Sequence, residues 1–259
     1  MKAIILAAGQ GTRLRPLTDD KPKCLVELAG KPLLEHQLAT LRAGGVDDIH
    51  IVGGYRAEQL ERPDTTLHLN PRYAETNMVS TLFAAEAVMT GDTDLIISYG
   101  DIVYEPRVLG ALQALDAPIA LAVDREWRRY WAARMDDPLA DAETLKLTDV
   151  DRVVELGKKP QSYDDIQGQY TGLIKIRADH VARLSEVWRA MDRDATYDGK
   201  DYDNMYMTSF IQHLIDSGWE VRAAFIDNGW VEIDAPEDVA IGEKGVFVNF
   251  RVLGAVHGD

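Results

Sequence analysis

The sequence predicts an α/β fold, a mixed and mainly parallel sheet with helices on both faces, and three observations carry that prediction. Short apolar runs alternate with stretches whose apolar residues recur at helical spacing, the pattern of strands joined by crossover helices. A glycine-rich segment directly follows the first apolar run, at the strand end where ligands sit in such sheets. In the second half of the chain the strand-like runs draw closer together, which predicts a small antiparallel subregion. At 259 residues the chain is long enough for one domain with a sizeable core, read as 1–259 with halves 1–124 and 125–259.

Each element has its own warrant. Ala3–Leu6 is short, apolar and bounded by small residues, hence a buried first strand. Leu33, Leu34, Leu38 and Leu41 share one helical face, and Gly44-Gly45 stops that helix. Ile49–Val52 is a β-branched strand entering Gly53-Gly54-Tyr55, and Leu67–Leu69 is a briefer one. Val79 to Val88 returns to helical spacing, and Asp94–Ser98 is a strand running into Tyr99-Gly100-Asp101. A helix from Pro106 to Leu115 precedes the strand Ile119–Val123. Trp127 to Glu143 is charged and aromatic without a clear period, so it reads as a long loop, a length that often serves function. Leu145–Thr148, Val153–Leu156 and Gln169–Ile176 make the antiparallel region. Helices near Val181–Met191 and Met205–Ser217 follow, then a strand at Val221–Ile226. The tail 244–259 reads as a final strand or a dimer contact, which leaves a homo-oligomer open.

Composition narrows the function. A net charge of −15 argues against nucleic-acid binding, which needs a basic face to displace counterions. It does not argue against a nucleotide ligand, because Arg13, Arg15, Lys21, Lys23 and Lys31 form a local basic cluster. Cys24 is the sole cysteine, so no internal disulfide forms and a reducing, cytoplasmic setting is expected. No run approaches the roughly 18 apolar residues of a membrane span, and Met1–Ala8 is too short for a signal peptide's core. The histidines are scattered, with no i, i+4 pair for a helical zinc site.

Residues 6 to 25 are the most informative segment. Small residues after the first strand let backbone N–H groups approach a phosphate, and Arg13 and Lys23 supply cations at the loop's end. The spacing is not G-x-G-x-x-G, since Leu14 stands at the third glycine, and no Gly-Lys-Ser/Thr follows to make a Walker loop. It resembles the signature of the nucleoside-triphosphate transferase family, roughly G-x-G-T-R-L-x-P-L-T followed by P-K. The match runs through Gly9, Gly11, Thr12, Arg13, Leu14, Pro16, Leu17, Thr18, Pro22 and Lys23.

That resemblance implies a Rossmann-like nucleotidyltransferase in which an acceptor phosphate oxygen attacks the α-phosphorus of a nucleoside triphosphate and expels pyrophosphate, with Mg²⁺ as cofactor. It implies that Leu6, Ala7, Ala8, Gly9, Gly11, Thr12 and Arg13 surround the nucleotide, with Gly54, Asn77, Ser80 and Gly100 completing the pocket. Asn77 and Ser80 equally suit helix capping. Asp101 and Asp234 match the family's metal-binding positions, although Asp101 also suits a turn and Asp234, before Ala235-Pro236, a helix N-cap. Arg13 would contact the β- and γ-phosphates, and Lys23 the α-phosphate and the incoming oxygen.

The acceptor side divides the readings. Sugar-1-phosphate members carry Glu-Lys-Pro where this chain has Lys158-Lys159-Pro160, and an ammonium cannot accept sugar hydroxyl protons. The runs Ser98–Ile102, Gly168–Leu173 and Trp230–Asp234 instead resemble the cytidylyltransferase branch that activates phosphocholine, aminoethylphosphonate or phosphoglutamine. Lys23, Glu155, Lys159, Tyr170 and Asp203 are the expected acceptor-binding residues. Trp127, Trp131 and Tyr170 offer an aromatic face for a cationic amine, with Asp203 or Glu155 as counter-charge; core packing is the other reading of these rings. The expected partners are therefore CTP and a small phosphorylated acceptor. The alternatives are a sugar-1-phosphate nucleotidyltransferase using CTP, UTP or dTTP, and a catalytically silent nucleotide-sensing relative.

Overall fold

The computed structural model describes residues 1–253, so the end of the tail, 254–259, lies outside the described residues. The first half runs β1 (Lys2–Ala7), a hairpin of β2 (Glu27–Leu28) and β3 (Lys31–Pro32), α1 (Leu33–Ala43), β4 (Asp48–Gly53), β5 (Thr65–Leu69), α2 (Met78–Phe83), β6 (Leu95–Tyr99), β7 (Ile102–Tyr104), α3 (Pro106–Ala114) and β8 (Ile119–Asp124). The second continues through α4 (Trp127–Arg134), β9 (Leu145–Thr148), β10 (Arg152–Leu156), β11 (Gln169–Ile176), α5 (Ala178–Ala190), α6 (Met207–Asp216), β12 (Val221–Ile226), β13 (Trp230–Glu232), α7 (Pro236–Glu243) and α8 (Phe250–Leu253).

Nine strands form one mixed sheet in the order β5-β4-β1-β6-β11-β8-β12-β10-β9. Only β11 and β10 run against the others. The antiparallel β9–β10 hairpin sits at one edge, as expected, but β11 also inserts antiparallel between β6 and β8 in the middle of the sheet. A register shift between Tyr170 and Ile174 accommodates it. Gly172 there has φ +83°, and a Cβ would lie 2.7 Å from the Tyr99 ring, so only glycine lets the two strands meet.

Alternation along β1 shows why the sheet is covered on both faces. Ala3, Ile5 and Ala7 enter one hydrophobic cluster, while Ile4 and Leu6 enter the other. The first cluster lies under α1, α3, α4 and the chain's end, the second under α2, α5 and α6. Each fully buried Leu or Ile contributes about 1.5–3 kcal/mol of transfer free energy.

Three expectations change. Residues 127–143 are not a loop throughout: Trp127, Tyr130, Trp131 and Arg134 recur at i, i+3, i+4, i+7 on α4 and turn inward, and the arginine hid that period. The helix begun at Met78 ends at Phe83, with a separate 3-10 turn at Glu86–Val88. The tail forms no strand among the described residues. Phe247 and Val248 are buried, Phe247 packs 4.9 Å from Tyr130, and Phe250–Leu253 is a short helix against α1.

Outside the large sheet, β7 and β13 form a two-stranded antiparallel ribbon, with Glu232 opposite Ile102. Its register continues through the Ile233 N–H, which donates to the Asp101 carbonyl at 3.0 Å. This ribbon brings Asp101 and Asp234 together across the sequence.

Candidate active site

The loop after β1 folds over a cleft of about 300 Å³ at the carboxyl end of the parallel strands. Gly11 is left-handed (φ +69°), and a Cβ there would sit 2.9 Å from Lys23 Cβ, so glycine permits the loop to close on Lys23. The Thr18 hydroxyl donates to the Gly11 carbonyl at 2.7 Å and holds that turn. Leu6, Ala7, Ala8, Gly9, Gly11, Thr12 and Arg13 line one wall, and Gly100 and Asp101 the floor. Gly100 crosses β1 so closely that a Cβ would meet the Leu6 carbonyl at 2.6 Å.

The facing wall holds Asn77 with four residues the sequence did not single out, Tyr73, Thr76, Met78 and Thr81. Asn77 caps α2, its side-chain oxygen accepting from Met78 N at 2.8 Å, and also lines the cleft. Gly54 lies behind the wall, where a Cβ would meet Tyr73 Cβ at 2.4 Å. Ser80 is turned away and donates to the Asp203 carbonyl at 3.0 Å. Its hydroxyl secures a turn rather than facing the cleft.

Below the cleft stands an acidic cluster. Oxygens of Asp101, Glu232 and Asp234 lie within 4.8 Å of one another, and Glu232 had been given no role in the sequence reading. Asp234 does not cap α7, whose N-cap is Ala235; instead Asp238 accepts from the Asp234 and Ala235 N–H groups at 2.9 Å each. The Lys23 ammonium stands between Asp101, at 2.5 Å, and Asp234. Arg13 reaches Asp234 at 3.0 Å from the solvent side, while buried Arg134 holds Glu232 at 3.1 Å and Asp238 at 2.9 Å from within.

Charge and burial perturb Glu232 and Asp234 in opposite directions. Burial, then Asp234 and Asp101, push the Glu232 carboxyl up to about 8, against the pull of Arg134 and Lys23. Burial also works against the Asp234 carboxylate, but Lys23, Arg13 and Arg134 outweigh it and hold its pKa below the ordinary value. For Lys23 burial opposes the charge, yet Asp101, Asp234 and Glu232 prevail and raise its pKa. Carboxylate oxygens are the donors magnesium prefers, and one Asp101 oxygen is buried without a hydrogen-bond partner. The residues present therefore fit a divalent ion.

A second cleft of about 520 Å³ shares Arg13, Met78 and Asp234 with the first. Tyr99, Trp131, Tyr170 and Trp230 give it aromatic walls, and Asp141, Glu143 and Glu232 give it carboxylates. Arg13 is its one cationic lining residue among the described residues. Glu143 is an exposed residue whose carboxyl is nonetheless partly desolvated by the cleft; that desolvation, with Asp141 and Asp198 nearby, raises its pKa to about 7. Trp127 lies in the core, its ring 5.9 Å from that of Trp131.

Three expected acceptor residues fall elsewhere. Glu155 pairs with Lys146 at 3.0 Å on the edge hairpin, Lys159 donates to the Leu139 and Ala140 carbonyls, and Asp203 pairs with Arg72 at 2.7 Å. The edge hairpin is the physical reason for Glu155: β10 lies three strands from β11, roughly 14 Å at ordinary strand spacing.

Residues 3–168 match the family model described as the MobA-like NTP transferase domain. The chain belongs to that family. Like its family, it is a nucleotidyltransferase, and the acidic cluster with Arg13 and Lys23 lies where the two clefts meet. A CTP:phosphoglutamine cytidylyltransferase of Campylobacter jejuni is 41% identical over 250 residues, 93% of this chain and 98% of the relative. A choline-phosphate cytidylyltransferase of Streptococcus pneumoniae is 47% identical over 87 residues, 32% of this chain and 38% of that one. The solved inositol-1-phosphate CTP transferase of T. maritima shares the fold, with TM-score 0.76 at 21% identity over 99% of this chain and 98% of that one. No helix among the described residues is long and apolar enough to cross a membrane.

Proposed function

We propose that this nucleotidyltransferase is a magnesium-dependent cytidylyltransferase, moving CMP from CTP to a small phosphorylated or phosphonylated amine and releasing pyrophosphate. The observation that carries the acceptor class is the second cleft. Aromatic faces of Trp131, Tyr170 and Trp230 stand beside Asp141 and Glu143, a combination of ring faces and negative charge that suits an organic ammonium. The names of the relatives, phosphoglutamine and choline-phosphate cytidylyltransferases, support the same class.

In this reading the loop from Leu6 to Thr12 cradles CTP with its backbone, and Asn77 with Thr76 and Thr81 faces the base. Asp101, Asp234 and Glu232 would hold magnesium, which when bound neutralises triphosphate charge. An oxygen of the acceptor phosphate attacks the α-phosphorus, the bond to the bridging oxygen breaks, and pyrophosphate carries off the electron pair. Lys23 stabilises negative charge growing at the α-phosphoryl, and Arg13, shared by both clefts, steadies the leaving phosphates. No covalent nucleophile is needed, because alignment and charge neutralisation carry the reaction.

The test is pyrophosphate release with Mg²⁺, crossing CTP, UTP, GTP, ATP and dTTP against phosphocholine, aminoethylphosphonate, phosphoglutamine and glucose 1-phosphate. Turnover confined to CTP with an amine-bearing acceptor supports the proposal. Turnover with glucose 1-phosphate alone would replace the acceptor class while leaving the nucleotidyltransferase intact.

A further inference from the structure

The acidic cluster of the free protein carries its own cations, and they are not held alike. Arg134 is fixed: its side chain is 5% exposed, bonded to Asp238 and Glu232, and lies 3.8 Å from Asp234 against the rings of Tyr130 and Trp131. Arg13 is 72% exposed and touches the cluster only through Asp234. Lys23 stands between these extremes. Its ammonium donates to Asp101 and Asp234 and to no other group among the described residues.

That ammonium occupies the space a shared ion would need. A divalent ion held by Asp101 and Asp234 would compete with the Lys23 ammonium, which already bonds one carboxylate oxygen of each. The cluster also has its charge balanced from three directions, by Lys23, Arg13 and Arg134, so little net field remains to draw a free ion. Phosphates change that balance. A triphosphate in the first cleft offers Lys23 and Arg13 better-matched anions, while Arg134, buried on the far side, stays in place.

We propose that Lys23 is an internal cation that plugs the acidic cluster, so that a divalent ion enters with the nucleotide and not before it. The proposal rests on reading the cluster as a divalent-cation site. Linkage makes it reciprocal: whatever draws Lys23 away raises the cluster's affinity for the ion, and the ion favours the nucleotide-bound position of Lys23. Lys23 then serves twice, as a plug in the free protein and as a charge stabiliser in the loaded one.

The test measures Mn²⁺ binding to the nucleotide-free chain by the electron paramagnetic resonance signal of free Mn²⁺, an ion with the same oxygen preference. Lys23→Met should bind Mn²⁺ at least about tenfold more tightly than wild type, because one neighbouring positive charge is gone. The gain should vanish in Lys23→Met/Asp101→Asn, and Lys23→Gln provides the same reading if the Met variant does not fold. Equal or weaker binding in the Lys23 variants overturns the plug, as does a gain that survives Asp101→Asn. Tight binding by wild type that Asp101→Asn abolishes also overturns the plug while preserving the metal assignment. No Mn²⁺ binding by wild type or either Lys23 variant overturns both.

Discussion

The two clefts meet at Arg13 and Asp234 but are built differently. One wall of the first cleft is a single loop of mainly small residues between 6 and 13, meeting a strand end at Gly100. The second cleft is assembled from α4, the segment before β9, β11, the start of α6 and β13. A wall of the first kind tolerates few substitutions, because Gly11 and Gly100 have no room for a Cβ. A cleft of the second kind can be rewritten one residue at a time. On the proposed function, that contrast assigns shared chemistry to the first cleft and substrate choice to the second.

The comparison can be broken by experiment. The largest effect belongs to the shared chemistry: Asp101→Asn should lower kcat by about 10²–10³-fold with every acceptor, as removal of a directed charge at a reacting phosphoryl does. An acceptor-dependent loss would mean that Asp101 belongs to the other cleft. Next comes Glu143→Gln, which should raise the KM for an amine acceptor about tenfold, roughly 1.5 kcal/mol for one charge-assisted contact, and leave the KM for CTP within twofold.

The pH profile sharpens that result. Glu143 has its pKa raised to about 7, so its carboxyl is mostly ionised at pH 8 and mostly neutral at pH 6. The acceptor KM should therefore rise up to about tenfold as pH falls across that interval, and Glu143→Gln should flatten the dependence. A dependence that persists in the variant would place the titrating group elsewhere. The smallest effects belong to Lys159→Ala and Glu155→Ala. Both side chains are spent on local contacts, so acceptor KM should stay within about twofold, with stability changes of about 1 kcal/mol or less by thermal melting.

The same contrast governs how much was legible in the sequence. The loop, Asp101 and Asp234 were singled out through their resemblance to a family pattern, and the structure brings the two aspartates together beside Lys23. Glu232 was not, since it alternates with buried Val231 and Ile233 and so reads as the solvent face of a strand. Arg134 closed a helical period that its charge disguised. Tyr73 joined the nucleotide wall only because Gly54 lets the chain pack closely against it. Glu155 was expected as a counter-charge to an amine and Lys159 as the cation of a sugar-family motif; the first pairs with Lys146 on the edge hairpin and the second donates to the Leu139 and Ala140 carbonyls. Fold class was legible because apolar runs alternate with helical spacing along much of the chain, whereas each acceptor contact occurs once.

The β7–β13 ribbon also bears on how the molecule comes into being. The last strand of the large sheet ends at Ile226, yet Glu232 and Asp234 follow it, and the loop holding them is secured by Asp238 and by Phe247 packed on Tyr130. A chain emerging from the ribosome thus has every strand of its large sheet in hand before it possesses Glu232 and Asp234. On the proposed function those carboxylates complete the site, so a growing chain with a finished sheet still lacks the means to spend nucleotide.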